Sequence, residues 1–448
     1  MASSISTLVY SYAQQLALHS LSRISGAQLK VILQYQDPPE VIQVGIIDGP
    51  EEPESTVTLI VRNPNLWMRI CSCFDLVHRF KQGFSEAYIF QEVDCDDLGQ
   101  LFEIYIKNKS RLGSGKLIFQ LLPRLAWLFQ PSNSIQEVRQ NISSHYDVSN
   151  KLFAAFLSPD MNYSCAHWEG DPLESLDSAQ NRKVRNLLRK AQISSSHHVL
   201  DIGCGWGDLA IKAAQTTGCR VTGLTLSDKQ KSLADQRVKE AGLEDRVRIL
   251  LCDYRDIPGP DNNGLSYDRV ISVGMFEHVG PEYLDQYFEI ISRVLHPTHG
   301  LMVIDGITMT NMLRETKSNV PTFIGRYIFP GGYLPTIHML LDSLHQGSTG
   351  SLEVTSVQNI GPHYGKTLWA WRNNFLRNWK TIELDYRAEH HDASDSEVEM
   401  FRRQWLYYFI YCESAFRERL LGNYIIAAAR TPEPIMKFDA SLGRMLEI

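Results

Sequence analysis

Three glycines follow an aspartate at alternate positions in the middle of the chain, in the run Asp201-Ile-Gly-Cys-Gly-Trp-Gly207. A short apolar stretch precedes the run, and a helix-compatible stretch, 208–214, follows it. Glycine lets the backbone approach a ligand closely, and the first turn of a helix offers unpaired amide groups. The pattern therefore predicts a cofactor-binding loop between a strand and a helix. Its candidate contacts are Asp201, Gly203, Gly205 and Gly207.

The spacing of this loop differs from the Gly-x-Gly-x-x-Gly pattern of dinucleotide-binding folds. It resembles the first motif of class I S-adenosylmethionine (SAM) methyltransferases. The alternative interpretation is a glycine-rich turn that binds no ligand. If the loop does bind a cofactor, the neighbouring strands should supply further contacts, because ligands of such folds lie at the carboxyl ends of parallel strands.

Polar residues follow the next two predicted strands. A carboxylate is typical at the end of the second strand, where it can accept hydrogen bonds from both hydroxyls of a ribose. Here Thr225 ends that strand, and we expect Thr225 and Gln230 to replace the carboxylate. Asp253 and Tyr254 follow the third strand, where a contact to adenine is expected.

The fourth predicted strand leads into the stretch 273–280, Val-Gly-Met-Phe-Glu-His-Val-Gly. This places Glu277 and His278 at the mouth of the sheet, beside the expected position of the reactive group of the cofactor. The alternative is structural, because a carboxylate at the start of a helix is stabilised by the helix dipole.

Four stretches together closely resemble the cyclopropane-fatty-acyl-phospholipid synthases, SAM enzymes that add a methylene group across a cis double bond of a lipid acyl chain. The stretches are the glycine loop, 145–150 (His-Tyr-Asp-Val-Ser-Asn), 163–168 (Tyr-Ser-Cys-Ala-His-Trp) and 275–280 (Met-Phe-Glu-His-Val-Gly). The resemblance continues through 327–335 and 364–371 and covers about residues 135–430. The preceding part resembles the lipid-binding domain of the long bacterial members more loosely, through 83–88 and 94–98.

The resemblance implies SAM as cofactor, with Tyr163 and Ser164 among its contacts, and an unsaturated phospholipid or another alkene-containing lipid as substrate. The methyl group of a sulfonium is electrophilic, so an alkene can attack it. The resulting carbocation must lose a proton from the new methyl group to close the ring. Aromatic faces and a carboxylate stabilise such a cation. The residues of those types are Tyr163, Trp168, Tyr364 and Glu277.

The base is the point at which this chain departs from the family. There the base is thought to be a bound bicarbonate, held by residues that match Cys165, Glu277, Ile307, Tyr364 and a histidine after the fifth strand. In this sequence Asp305 stands in place of that histidine. A carboxylate near Glu277 would repel bicarbonate, or would itself have a raised pKa. Either Asp305 replaces the ion as the base, or the reaction stops at, or diverts from, simple methyl transfer.

An alternation of strands and helices supports these motifs. Strands are predicted at 197–202, 219–225, 246–251, 267–273 and 300–307, with helices between them. This order predicts an α/β fold, a doubly wound parallel Rossmann-like sheet. Residues 309–345 interrupt the order as a mixed helical insert, a candidate lid over a long apolar substrate. The apolar stripe of a helix at about 396–418 is more typical of core than of an acyl channel.

The first part of the chain predicts a smaller α+β domain, residues 1–130, before a catalytic domain, 131–448. Stretches at 28–33, 41–46 and 55–62 alternate apolar with polar residues, as half-buried antiparallel strands do. Basic residues at 107–124 lie beside an aromatic-rich apolar segment that ends at 129. Such a segment can contact an anionic lipid surface, and a core helix with a solvated flank is the equal alternative.

Composition narrows the class of protein. The chain has 448 residues, of which 44% are hydrophobic and 21% charged, as in globular domains. A net charge of −7 argues against a nucleic-acid partner. The eight cysteines are scattered, which favours a reducing compartment, and no metal site is expected. Without a secretory signal or a run of about 18 apolar residues, we expect a cytoplasmic protein, with peripheral membrane contact and a homodimer as further expectations.

Three functions compete at this point. The first is lipid cyclopropanation of the synthase type. The second is C-methylation, without ring closure, of another alkene such as a prenyl or natural-product chain. The third is a lipid-binding protein that kept the fold without catalysis, against which the intact glycine loop and Glu277 argue.

Overall fold

The computed structural model of the protein describes residues 2–46, 56–71, 76–112, 149–259, 266–311 and 323–431. Several predicted segments lie wholly or partly outside these residues: 145–148 of the His-Tyr-Asp stretch, 113–129 of the basic segment and 312–322 of the insert. Residues 131–134, a Pro-Ser-Asn-Ser run typical of a linker, also lie outside them. Within the described ranges, no helix combines the length and the apolar character needed to span a bilayer.

The N-terminal part is built on a four-stranded sheet in the order β2-β1-β3-β4. Its strands are β1 (Gln28–Leu33), β2 (Glu40–Val44), β3 (Thr56–Val61) and β4 (Val93–Cys95). Helices surround it at Ala2–Leu21, Asn65–Cys71, Leu76–Ile89, Leu98–Lys107 and Lys109–Leu112. The alternating pattern of β1 and β3 is confirmed, since every second residue of each is buried. The expectation of antiparallel pairing is wrong for this pair, because β1 and β3 run parallel.

The catalytic part contains a seven-stranded sheet in the order β7-β6-β5-β8-β9-β11-β10. Five strands run parallel and match the predicted positions to within two residues at each end. They are β5 (His198–Ile202), β6 (Arg220–Thr225), β7 (Val247–Leu251), β8 (Arg269–Val273) and β9 (Leu301–Met309). Every residue of the central strand β5 is buried, because helices cover both faces of the sheet.

The predicted α/β, Rossmann-like fold is confirmed, and its parallel core carries antiparallel strands that the prediction did not include. Two further strands, β10 (Leu352–Asn359) and β11 (Leu421–Arg430), extend it beyond β9. Strand β11 pairs antiparallel with both β9 and β10. This pairing brings Asn423 beside Ile307 and Ile425 beside Asp305.

Helices complete the catalytic part. Those before and within the parallel order are Asn150–Phe156, Leu176–Lys190, Asp208–Thr217, Asp228–Glu240 and Leu284–Val294. Those that follow are Phe323–Tyr327, Ile337–Gly347, Pro362–Arg377, Trp379–Glu389 and Asp395–Arg417. The last begins at a capping box in which Ser394 and Glu397 exchange hydrogen bonds. Its buried residues include Val398, Trp405, Phe409 and Phe416, so the predicted stripe is core.

Candidate active site

The glycine loop connects β5 to the helix Asp208–Thr217, as predicted. Gly203, Gly205 and Gly207 all have positive φ, at 78°, 54° and 84°. A Cβ at Gly205 would meet nothing within 4 Å, whereas one at Gly207 would lie 3.1 Å from the Cβ of Ala234. Gly205 therefore faces open space, and Gly207 allows the helix Asp228–Glu240 to pack closely.

A cleft lies along this loop at the carboxyl ends of β5, β6 and β8. The predicted cofactor residues that line it are Tyr163, Ser164, Asp201, Gly203, Gly205, Thr225, Gln230 and Tyr254. His278 also lines it, and burial lowers the pKa of this histidine to about 4, so its imidazole is neutral at pH 7. Gly207 and Asp253 do not line the cleft.

The predicted cofactor residues Thr225 and Asp253 each bond a neighbouring side chain. The hydroxyl of Thr225 donates to Oε1 of Gln230 at 2.7 Å, so the two side chains act as one polar unit at the end of β6. Asp253 is 1% exposed, and both its oxygens accept hydrogen bonds from Arg255 at 2.8 Å. The Asp253 carboxylate thus shapes the turn after β7.

Asp201 puts a buried carboxyl group on the wall of the cleft. It is 2% exposed, and its Oδ2 has no hydrogen-bond partner within the described ranges. Burial raises the pKa of Asp201 to about 7, and the nearby Lys183 lowers it. An unpaired carboxylate oxygen in such a place fits a positively charged ligand group.

Glu277 lies in a short 3₁₀ turn, Phe276–His278, that follows β8. Its Oε1 accepts a hydrogen bond from the amide of Ile307 at 2.7 Å, which joins the turn to β9. A Cβ at Gly306 would lie 2.8 Å from that same oxygen, so only glycine leaves room for this contact. Burial is the main cause that raises the pKa of Glu277 to about 8, and the charge of Asp305 contributes to the same shift.

Asp305 lies in β9 and is 1% exposed. The side-chain amide of Asn423, from β11, donates to its Oδ1. Oδ2 has no hydrogen-bond partner among the residues that the structure describes. Burial raises the pKa of Asp305 to about 6, while the charge of Lys183 and the bond from Asn423 lower it. Asp305 is thus ionised at neutral pH while Glu277 still holds its proton.

Cys165 and Tyr364 stand beside this acid pair. The thiol of Cys165 donates to the carbonyls of Ala166 and Ile360, each at 3.4 Å, and burial raises its pKa well above the usual value. Burial also raises the pKa of Tyr364, and negative charge on Cys165, Glu277 and Asp305 adds to the shift. These influences link Cys165, Glu277, Asp305 and Tyr364, but none of the four is among the residues that line the cleft.

Aromatic rings form a wall around Tyr163, which lines the cleft. Its ring centroid lies 5.2 Å from that of Phe153 and 5.1 Å from that of Trp371. Its hydroxyl shares a hydrogen bond of 2.8 Å with Tyr408. Trp168 lies apart from the cleft lining, with its indole donating to Thr367 and Lys366 over its ring. The structure thus brings Tyr163, and not Trp168, to the cleft.

Comparison with known proteins agrees with this geometry. The model of the family described as mycolic acid cyclopropane synthetase matches residues 133–424. The chain belongs to this family.

Two relatives extend the match over most of the chain. The tuberculostearic acid methyltransferase of Mycobacterium tuberculosis is 35% identical over 420 residues, 90% of this chain and 88% of that protein. The cyclopropane-fatty-acyl-phospholipid synthase of Escherichia coli is 33% identical over 385 residues, 83% of this chain and 88% of that protein. A solved mycolic acid cyclopropane synthase complexed with SAH and CTAB superposes with a TM-score of 0.57 at 30% identity, covering 65% of this chain and 98% of that one.

The protein is therefore an SAM-dependent methyltransferase of the cyclopropane synthase type. Its cleft fits the cofactor, since a Cβ at Gly205 would enter open space and the unpaired oxygen of Asp201 suits a cationic ligand. Across the part of the chain that the structure describes, no three His, Cys, Asp or Glu side chains form a group that could hold a metal.

The predicted bicarbonate residues do not fit an anion. The amide of Ile307 already donates to Glu277, and the thiol of Cys165 already donates to two carbonyls. Asp305 adds a buried carboxylate in the same cluster.

Sequence reasoning missed the support of this cleft. Asp160, Asn162, Lys183 and Asp208 all line it. Asn162 donates to Asp208 at 2.8 Å, and Lys183 donates to Ser164 at 2.9 Å. A signal was present, because Lys183 occupies the same helical face as the buried Ala179, Val184 and Leu187. A lysine within an apolar stripe indicates a buried partner.

Proposed function

We propose that this protein transfers a methylene group from SAM to the double bond of an unsaturated lipid acyl chain and forms a cyclopropane fatty acid. The observation that carries the proposal is the pair of buried carboxyl groups, Glu277 and Asp305, next to the cofactor cleft. Met275 and His278, on either side of Glu277 in sequence, line that cleft, as does Val273, which pairs with Asp305 in the sheet. When bound, SAM supplies an electrophilic methyl group.

The aromatic wall excludes water and stabilises positive charge on the substrate. Tyr163 lines the cleft, and the buried rings of Phe153 and Trp371 pack behind it with centroids 5.2 and 5.1 Å away. Ring faces attract cations, and the effect grows when water is excluded. The wall therefore favours a carbocation on the alkene carbon that did not receive the methyl group.

Asp305 is the proton acceptor in this proposal. Its Oδ2 has no hydrogen-bond partner in the described chain, and its pKa of about 6 leaves it ionised at pH 7. Glu277 keeps its proton at that pH and therefore does not compete with Asp305 as proton acceptor. Asp305 takes a proton from the new methyl group, and the electron pair of that C–H bond forms the second C–C bond of the ring.

A methyl branch without ring closure is the second candidate. Asp305 stands where the family resemblance places a histidine, so the fate of the cation depends on a changed residue. Two relatives bear the names tuberculostearic acid methyltransferase and sphingolipid C9-methyltransferase, the latter 31% identical over 312 residues. The same cleft thus supports transfer that ends in a branch, on an acyl chain or on another alkene.

Incubation with trideuteromethyl-labelled SAM and a mixed lipid extract tests both. A cyclopropane keeps two of the three deuterium atoms and has no double bond at that site. A methylene branch also keeps two but has a double bond, and a methyl branch keeps all three. If mass analysis finds no lipid that carries deuterium, the proposed function is contradicted.

The N-terminal domain is proposed to bind lipid at a membrane surface, and a homodimer is proposed in solution. The support for the membrane contact is a set of basic residues, of which the structure describes the first three: Lys107, Lys109, Arg111, Lys116 and Arg124. Each basic residue near an anionic surface contributes roughly 1 kcal/mol. Reversal of the three lysines to Glu should weaken sedimentation with anionic vesicles and leave SAM affinity unchanged, and equal sedimentation would refute the membrane contact. Sedimentation velocity that shows a monomer would refute the dimer.

A further inference from the structure

Lys183 is a buried lysine to which the proposed chemistry gives no role. It lies in the helix Leu176–Lys190, is 1% exposed and lines the cofactor cleft. Its Nζ donates to Oγ of Ser164 at 2.9 Å and to Oδ1 of Asn162 at 3.2 Å. Lysine is almost never fully buried unless it is paired, so its partners indicate its role.

Gln180, one turn earlier on the same helix, binds the same segment. Its side-chain amide donates to the carbonyl of Ser164 at 2.8 Å and to that of Asn162 at 3.3 Å. Gln180 and Lys183 therefore hold the backbone and side chains of Asn162–Ser164. Tyr163, at the centre of that segment, is thereby fixed on the cleft wall.

Lys183 also faces acidic groups from several other elements. Burial lowers the pKa of Lys183, and the negative charges of Asp305, Asp160 and Asp208 oppose this shift and favour its ammonium form. The same ammonium group acts on Asp201 in β5. Asp201 and Asp305 each keep one oxygen without a hydrogen-bond partner in the described ranges, so a nearby cation is what compensates their burial.

We propose that Lys183 is a positioning residue of this active site: its ammonium group holds Asn162–Ser164 on the cofactor cleft and supplies positive charge to the buried carboxylates of Asp201 and Asp305. The role toward Asp305 rests on the proposed function, in which Asp305 must be ionised. The role of Lys183 in holding Asn162–Ser164 on the cleft does not depend on the proposed function.

The proposal has a consequence for pH dependence. Asp305 is surrounded by Lys183, the neutral amide of Asn423, and the acidic groups Glu277, Cys165 and Tyr364. Loss of the cation leaves burial, which raises the pKa of Asp305, opposed only by the hydrogen bond from Asn423. The acid limb of activity should then move to higher pH, which a merely structural role of Lys183 would not cause.

Lys183→Met tests this, with Lys190→Met as the matched control on the same helix. Lys190 donates to Ser356 at 3.3 Å, away from the cleft. In Lys183→Met we expect the acid limb of cyclopropane formation to rise by at least about one pH unit. Its SAM affinity by calorimetry should fall roughly tenfold, as for a lost hydrogen bond to a charged group. Lys190→Met should match wild type in both.

An unchanged acid limb and an unchanged SAM affinity in Lys183→Met would overturn the proposal. If that variant does not fold, Ser164→Ala removes one acceptor and keeps the cation. It should then bind SAM more weakly with the acid limb in place, and wild-type affinity would overturn the positioning role. Product analysis distinguishes failure of this proposal from failure of the proposed function. If a cyclopropane forms although the Lys183 test fails, the proposed function still holds. Absence of any lipid product leaves the SAM-affinity test intact.

Discussion

Glu277 and Asp305 are two acidic side chains in one buried cluster, and their environments separate their titrations. The pKa of Asp305 is raised to about 6 and that of Glu277 to about 8. Lys183 and Asn423 favour the ionised form of Asp305, whereas the charge of Asp305 disfavours that of Glu277. Between these two values the pair holds one proton, on Glu277. In the proposed mechanism Asp305 is thus ionised before the substrate arrives.

Asp305→Asn keeps the shape of this residue and removes the base. Methyl transfer itself needs no proton removal, since the alkene carries no proton to lose first. We therefore expect ring closure to fall more than SAM consumption and methyl-branched alkenes to appear, as measured by mass analysis of lipid products. Asp268→Asn is the matched control. It makes the same substitution at a carboxylate that bonds His299, and it should leave the products unchanged. Wild-type products at the wild-type rate in Asp305→Asn would show that Asp305 is only a strand residue.

Glu277→Gln should change how stability depends on pH. The pKa of Glu277 is about 8 in the folded protein against 4.5 as its ordinary value. Between these values the folded state holds a proton that the unfolded state has lost, so stability falls as pH rises through this window. Glutamine does not titrate and keeps an oxygen for the amide of Ile307. The Tm of the variant relative to wild type should increase from about pH 5 to about pH 8, and parallel Tm curves would contradict the raised pKa.

At the scale of single residues, the sequence predicted the groups that follow strand ends. Thr225, Gln230 and Tyr254 line the cleft because the carboxyl ends of parallel strands meet at one edge. Asp253 also follows a strand, but its pairing with Arg255 depends on the local turn and was not predictable from spacing. The position of Lys183 in an apolar helical stripe indicates that it is buried, but it does not specify which groups its ammonium contacts.

At the scale of elements, the strand, glycine loop and helix together make the cofactor cradle. Gly205→Val should abolish SAM binding, because its side chain would enter the open space of the cleft. Its positive φ adds a cost of about 1 to 2 kcal/mol in stability. Gly242→Val is the matched control, since Gly242 also has positive φ with nothing within 4 Å of its Cβ position and lies away from the cleft. Calorimetry should show normal SAM affinity for the control alone, and unchanged affinity in Gly205→Val would refute the cradle.

The five parallel strands were predictable because each is a short apolar run followed by a helix. The antiparallel strands were not. Strand β11 contains Ala427, Ala428 and Ala429, a composition that favours helix, and its pairing with β9 overrides that preference. The parallel pairing of β1 and β3 escaped prediction for a related reason, because alternation specifies the buried face of a strand and not its direction.

At the scale of the whole molecule, the helix Asp395–Arg417 joins the two parts of the chain. Tyr407 packs against Phe102 of the N-terminal part with ring centroids 5.2 Å apart, while Phe409 packs against Phe156 at the same separation. Glu86, from the helix Leu76–Ile89, binds Arg326 at 2.9 Å. The N-terminal part therefore contacts both this helix and the insert after β9.

Arg403 is the polar centre of that contact. Its guanidinium binds Asp94 and donates to the carbonyls of Tyr88 and Val93 at 3.0 and 3.2 Å, with 13% of the side chain exposed. Arg403→Met would leave these groups without their donor and should lower the free energy of unfolding by about 3 kcal/mol. The neighbouring Arg402, 34% exposed and 3.4 Å from Glu399, is the matched control. Arg402→Met should cost less than about 1 kcal/mol in denaturant unfolding, and equal losses would argue against a special role for Arg403.

The most direct test of a built-in base is the product of the wild-type enzyme in buffer depleted of bicarbonate. The protein is incubated with trideuteromethyl-labelled SAM and an unsaturated phospholipid, with and without added bicarbonate, and the fatty acids are analysed by mass. We predict a cyclopropane fatty acid that keeps two deuterium atoms, formed at the same rate in both buffers. A cyclopropane that forms only with added bicarbonate, or a methyl branch that keeps three deuterium atoms, would contradict Asp305 as the base.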